Sequence, residues 1–136
     1  MFCWFISFFK KIKCDMKQLL LVFLGGGIGS AFRYLISNIS FFSLIKFPFS
    51  TLLSNILGCL IFGLFIGWAI KNDQINSPQT FLITTGFCGG LTTFSTFANE
   101  NINIIKSGDL NYFILYTLIS IILSFASMFI GMLIFK

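Results

Sequence analysis

Apolar residues gather into four long runs, at about Lys17 to Ser37, Phe49 to Ile70, Thr80 to Ile105 and Asn111 to Phe135, separated by short polar links. A hydrocarbon core of ~30 Å is crossed by roughly 20 helical residues, and every run reaches that length. The pattern predicts four transmembrane α-helices. Pro48 and Pro78 fall just before the second and third runs, where a missing backbone N–H does little harm.

The third run is unlike the others. Gly86-Phe87-Cys88-Gly89-Gly90-Leu91-Thr92-Thr93-Phe94-Ser95-Thr96-Phe97 is rich in glycines, hydroxyls and phenyl rings and poor in helix formers. Within a bilayer each backbone N–H and C=O needs a partner, so such a stretch persists only where protein or an aqueous path covers it. A helix broken here, near a functional site, is the expectation, with Gly89, Gly90, Leu91 and Thr92 lacking intrahelical partners.

Composition agrees that the solvent is lipid. With 57% hydrophobic and 10% charged residues and a mean hydropathy of +0.96, 136 residues cannot present a mainly polar surface to water. The chain reads as an all-α integral membrane protein.

Residues 1–15 place Phe2-Cys3-Trp4-Phe5-Ile6-Ser7-Phe8-Phe9 ahead of Lys10, Lys11 and Lys13, the reverse of a secretory signal. They read either as an aromatic-basic interfacial anchor or as an extension upstream of a start at Met16, leaving 16–136 as the membrane domain. Counted from Met16, Lys17, Lys71 and Lys136 fall on one side of the membrane and Arg33, Lys46 and Lys106 on the other. Three against three gives no preferred orientation under the positive-inside rule, and the chain is suited to inserting both ways. Adding Lys10, Lys11 and Lys13 makes six against three and favours a cytoplasmic N-terminus. The net charge of +5 is spread along the chain without a basic patch for phosphates, so no nucleic-acid partner is expected.

Catalysis has little raw material. Histidine is absent, which removes imidazole metal sites, His-based triads and the usual proton shuttle. Cys3, Cys14, Cys59 and Cys88 have no C-x-x-C spacing, which argues against a disulfide framework or a zinc site. Glu100 is the one acid within a run, toward its end.

Small uncharged polar residues recur at helical spacing instead. Thr51 and Asn55 are four apart in the second run, and Tyr116, Ser120 and Ser124 repeat every four in the fourth, so each set shares a helix face. Two such stripes can line one path, although single hydroxyls in membrane helices usually bond a carbonyl one turn back. Asn55 is harder to satisfy, because both ends of a carboxamide need partners in hydrocarbon; a pore or helix-bridging role fits it. Gly25-x-x-x-Gly29, Gly27-x-x-x-Ala31, Ser54-x-x-x-Gly58 and Gly63-x-x-x-Gly67 favour close helix approach. Arg33, at the end of the first run, belongs at the interface or at a water-filled vestibule, where it would concentrate anions. Phe94 and Phe97 share a face if the helix resumes, and phenyl edges carry partial positive charge that can touch a small anion. Carbonyls freed at Gly89 to Thr92 can instead be met by nearby hydroxyls, or can coordinate a hard cation.

These residues carry a resemblance. Gly25-Gly26-Gly27-Ile28-Gly29-Ser30-Ala31-Phe32-Arg33-Tyr34, Thr51-Leu52-Leu53-Ser54-Asn55-Ile56-Leu57-Gly58 and Thr85 through Phe97 resemble, in order and spacing, the Fluc/CrcB family of bacterial fluoride channels. The likeness runs from Met16 to the end. It implies a passive, fluoride-selective, non-enzymatic channel in the plasma (inner) membrane that exports cytoplasmic fluoride. It also implies an antiparallel, dual-topology homodimer of four-helix subunits with two pores, and a structural Na⁺ held by carbonyls at Gly89 and Thr92 of both copies. Fluoride contacts carry over to Phe94 and Phe97, the pore asparagine to Asn55, and the hydroxyl track to Tyr116, Ser120 and Ser124 with Thr51 beside it; Arg33 fills the arginine of the first motif. The alternative is a small four-span multidrug exporter of dual topology, which works through a carboxylate in its first span. No acid lies between Lys17 and Ser37. A non-transporting assembly or anchoring protein would leave Asn55 and the Gly/Thr/Phe stretch without a role.

Overall fold

The computed structural model describes residues 16–39 and 47–135. The two readings of residues 1–15, and the charges at Lys46 and Lys136, lie outside the described residues.

Four helical segments are long and apolar enough to cross a membrane: Met16–Ser37, Phe49–Lys71, Pro78–Lys106 and Leu110–Leu133. The first, second and fourth are the continuous helices α1 (Met16–Ser37), α2 (Phe49–Lys71) and α6 (Leu110–Leu133). At 1.5 Å per residue the 22 residues of α1 rise about 33 Å, enough for the apolar slab. Large side chains such as Phe23, Phe125 and Phe129 face outward, as lipid-solvated helices require.

The third segment is composite. It begins with α3 (Pro78–Thr80), where Ser77 caps by accepting from the Thr80 N–H at 3.3 Å, and continues as a π-helical stretch π1 (Phe81–Cys88) and α4 (Gly89–Leu91). Thr92 (φ −74°, ψ 152°) and Thr93 (φ −148°, ψ 119°) are extended, and α5 (Phe94–Lys106) follows. Gly89 to Leu91 keep helical geometry, three residues beyond the expected start of the break, and the Thr92 N–H still reaches the Cys88 carbonyl at 2.9 Å. Thr93 then caps α5, its hydroxyl accepting from the Thr96 N–H at 3.2 Å. This segment has the lowest mean hydropathy of the four, 1.2.

Two glycine seams fix the packing. Along α1, a Cβ on Gly25 would run into the Leu82 carbonyl and one on Gly29 into the Phe87 carbonyl, so α1 and π1 meet backbone to backbone. Along α2, Gly63 faces Met128 and Gly67 faces Met132, and Gly131 of α6 answers them against Leu60, with a Cβ 2.6 Å from that carbonyl. Gly27 departs from expectation: nothing lies within 4 Å of a Cβ there, since it sits on the outward face of α1 while Gly25 and Gly29 point inward.

Candidate ion pathway

Asn55 and Thr93 hold the centre of the molecule. The carboxamide oxygen of Asn55 accepts from the Thr93 N–H at 2.8 Å, and the Asn55 amide donates to the Thr93 carbonyl at 3.3 Å. Asn55 thereby partners both the backbone N–H and the backbone carbonyl of Thr93, as the donor and acceptor ends of a carboxamide allow. Its helix-bridging role is therefore visible in the geometry, and its side chain also borders a cavity.

That bond has a consequence for the main chain. In a continuous helix the Gly89 carbonyl would receive the N–H of Thr93, and the Thr92 carbonyl that of Thr96. The Thr93 N–H donates to Asn55 instead, and the Thr96 N–H to the Thr93 hydroxyl. Both carbonyls lose their helical donors by this diversion. Gly89 is exposed and nothing lies within 4 Å of the position its Cβ would take, so this backbone is approachable from outside the chain. Among the described residues no group of three or more His, Cys, Asp or Glu side chains converges, so a hard cation here would be met by main-chain oxygens.

Two cavities flank Thr93. The first, of about 360 Å³, is bordered by Asn55, Thr92, Thr93, Phe94, Phe97, Ser120 and Ser124 together with Cys59, Ile121 and Phe125. The second, of about 330 Å³, is polar and is bordered by Ser30, Arg33, Ser50, Thr51, Ser54, Thr93, Thr96 and Glu100, with Tyr34 and Ser37 at its edge. Thr93 borders both. The expected residues thus divide: Asn55, Phe94, Phe97, Ser120 and Ser124 share the first chamber, Thr51 and the half-buried Arg33 the second.

The Phe94 and Phe97 rings are 5.8 Å apart at 44°, and Phe97 lies 5.4 Å from Tyr116. Phe94 is 79% exposed. Ser120 is buried with a hydroxyl that has no hydrogen-bond partner among the described residues, and Ser54, on the polar side, is in the same condition. Such unmatched hydroxyls are costly unless something visits them.

Glu100, near the end of its run in the sequence, is brought to the wall of the second chamber by long-range contacts. Its two carboxylate oxygens accept from the Thr51 hydroxyl and the Tyr116 hydroxyl, each at 2.7 Å. Tyr116 is wholly buried, so it anchors the carboxylate from beneath and does not itself form an open wall. The next residue, Asn101, accepts from the Thr117 hydroxyl at 2.9 Å and ties α5 to α6. The usual fate of membrane hydroxyls is also present: Thr92 and Thr84 each donate to the carbonyl four residues back.

Comparison with known proteins places this architecture. Residues 20–132 match the family described as CrcB-like protein, Camphor Resistance (CrcB). A protein of Flavobacterium psychrophilum named fluoride-specific ion channel FluC is 39% identical over 122 residues, covering 89% of this chain and 98% of its own. Proteins of the same name from Phocaeicola vulgatus (42% over 118 residues, 85% and 96% covered) and Gloeothece citriformis (42% over 125, 89% and 98%) are equally similar along their length. With the family pattern covering residues 20–132 and so all four helices, the chain belongs to the CrcB family of multi-pass membrane proteins.

Proposed function

We propose that this chain is a passive fluoride channel, not an enzyme, that lets fluoride leave the cytoplasm across the plasma membrane. The observation that carries the reading is the pair of chambers meeting at Thr93: one is lined by an amide, hydroxyls and phenyl rings, the other holds Arg33 and a ring of hydroxyls. Relatives of near-equal length bear the name fluoride-specific ion channel. The exporter alternative is not favoured, since α1 carries no acid.

Fluoride is small and firmly hydrated, so a pore must replace its water with donors. Arg33 raises the anion concentration at the mouth, where field lines focus between low-dielectric walls. Inside, the unpartnered Ser120 hydroxyl, the Ser124 hydroxyl and the remaining Asn55 amide proton supply hydrogen bonds. Phe94 and Phe97 turn ring edges toward the ion, giving partial positive charge without a counter-ion that would trap it. Membrane potential, negative inside, then drives the anion out.

The full unit in this reading is an antiparallel, dual-topology homodimer with a broken third helix in each copy. A second copy would cover the exposed Phe94 and the open side of its chamber. Na⁺ would sit between the two Gly89 and Thr92 backbones; the donor diversion through Asn55 suits that role, because it releases the needed oxygens.

Fluoride efflux from liposomes containing the purified protein tests the function, with chloride as control. Potential-driven, fluoride-selective efflux is expected. Its absence in folded protein sinks the proposal.

A further inference from the structure

Ser54 is 1% exposed and borders the polar chamber of Arg33, and its hydroxyl has no hydrogen-bond partner among the described residues. A serine or threonine in a membrane helix ordinarily donates to the carbonyl one turn back, as Thr84 and Thr92 do at 2.6 and 2.9 Å. Ser54 does not. Two neighbouring hydroxyls of the chamber have spent their protons on protein oxygens: Thr51 donates to Glu100 at 2.7 Å and Thr93 to the Thr96 hydroxyl at 3.1 Å. Close packing, which the Ser54-x-x-x-Gly58 spacing suggests, does not account for the hydroxyl, because alanine would fill the same seam without leaving a polar group buried and unmatched.

Its place in the chain gives that hydroxyl a task. Ser54 and Asn55 are consecutive on α2, so their side chains leave the helix about 100° apart. They border different chambers, Ser54 that of Arg33 and Asn55 that of Phe94 and Phe97, and Thr93, whose backbone Asn55 holds, borders both. We propose that Ser54 is a conducting residue: its hydroxyl donates to fluoride beside Thr93 and passes the ion from the Arg33 chamber to the amide of Asn55. This rests on the fluoride-channel reading and extends the line of donors to the Arg33 side. An ion leaving the solvated mouth sheds water, and each donor it loses there must be replaced. Ser54 offers one proton and no charge, so it stands in for a water without trapping the ion. The oxygen is covered when no ion is near, and the contact forms by a turn about the Cα–Cβ bond to another staggered position. The hydroxyl is left unmatched by the protein because its partner is the passing anion.

Fluoride efflux from liposomes, read beside the melting temperature of the same full-length protein, separates the contact from packing. Ser54→Ala should slow efflux by roughly tenfold, the worth of one hydrogen bond to an ion, while the melting temperature stays level or rises, since an unmatched buried hydroxyl has been removed. A serine kept for packing predicts unchanged efflux, and one kept for structure predicts slower efflux with a lower melting temperature; either result overturns the proposal. Ser54→Thr and Ser54→Val have nearly the same shape and differ in the hydroxyl. Threonine should conduct close to the parent and valine roughly tenfold slower, and equal rates in the two folded variants overturn the contact. The alanine result decides by itself if a branched variant fails to fold. A parent chain that carries no fluoride overturns both the contact and the channel reading, whereas alanine at the parental rate overturns the contact alone.

Discussion

Asn55→Ala tests the centre of the molecule most directly. The substitution deletes the acceptor of the Thr93 N–H at 2.8 Å and the donor to its carbonyl at 3.3 Å. The shorter contact lies within the usual N–H···O range and the longer just beyond it, so the first is counted in full and the second as marginal. An enclosed N–H left without a partner costs about 1–3 kcal/mol. Taking ~2 kcal/mol as the net loss, and ~1.4 kcal/mol per tenfold, the extended geometry at Thr93 becomes roughly 30-fold less favoured. The released N–H has an obvious substitute in the Gly89 carbonyl, four residues back, so the chain is pulled toward continuous helix through Thr93. Two readouts should then move together. Fluoride efflux from liposomes should fall by more than tenfold, and the protein's thermal stability should stop depending on Na⁺ as the Gly89 oxygen is withdrawn. Asn55→Asp keeps the acceptor but adds charge to the anion path, and should lose flux while retaining the Na⁺ dependence. Alanine that conducts within twofold of the parent, with Na⁺ dependence unchanged, refutes the reasoning.

Other outcomes follow from single contacts. Gly29→Ala should destabilise by ~1–3 kcal/mol through overpacking against the Phe87 carbonyl, whereas Gly27→Ala, with open space around it, should change the melting temperature little. Glu100→Ala strips the acceptor from the Thr51 and Tyr116 hydroxyls and should slow fluoride efflux, with Glu100→Gln milder because one oxygen remains for Thr51. Phe94→Ile should reduce flux with the oligomer intact on size-exclusion chromatography; unchanged flux removes that ring from the pathway. Thr93→Val loses the cap of α5 and should cost ~0.5–2 kcal/mol, read by thermal unfolding.

The spans were legible because run length alone decides them: the expected second and third runs differ from the helices by at most two residues at either end. Asn55 was legible for a chemical reason, as an amide in hydrocarbon must bridge something. The π-helical turn at Phe81–Cys88 was not, because it arises where Leu82 and Phe87 carbonyls meet Gly25 and Gly29 of another helix, a contact that local propensity does not encode. Glu100 was passed over for its place near the end of the run. The signal was present nonetheless, since an acid within a membrane span is a functional candidate by default. What the sequence lacked was the pairing with Thr51, 49 residues away, which only the meeting of α2, α5 and α6 creates. Gly27 shows the limit of small-residue patterns, because two overlapping four-residue repeats on α1 cannot both face inward.

Two extended residues do three things at once, and one bond connects them. By leaving helical geometry, Thr93 surrenders its N–H to Asn55, which frees the Gly89 carbonyl on the outward side. Its hydroxyl takes the Thr96 N–H, which frees the Thr92 carbonyl and starts α5. The new helix then carries Phe94 and Phe97 at its first turn, where the N-terminal end of the macrodipole is positive and favours an approaching anion. In the proposed channel, cation coordination and anion contact would therefore not be separate motifs that happen to adjoin. A side chain at position 55 that cannot hold the Thr93 backbone would relax both together, so the predicted coupling between Na⁺ dependence and fluoride flux would belong to the Asn55–Thr93 pair and not to the glycines that precede it.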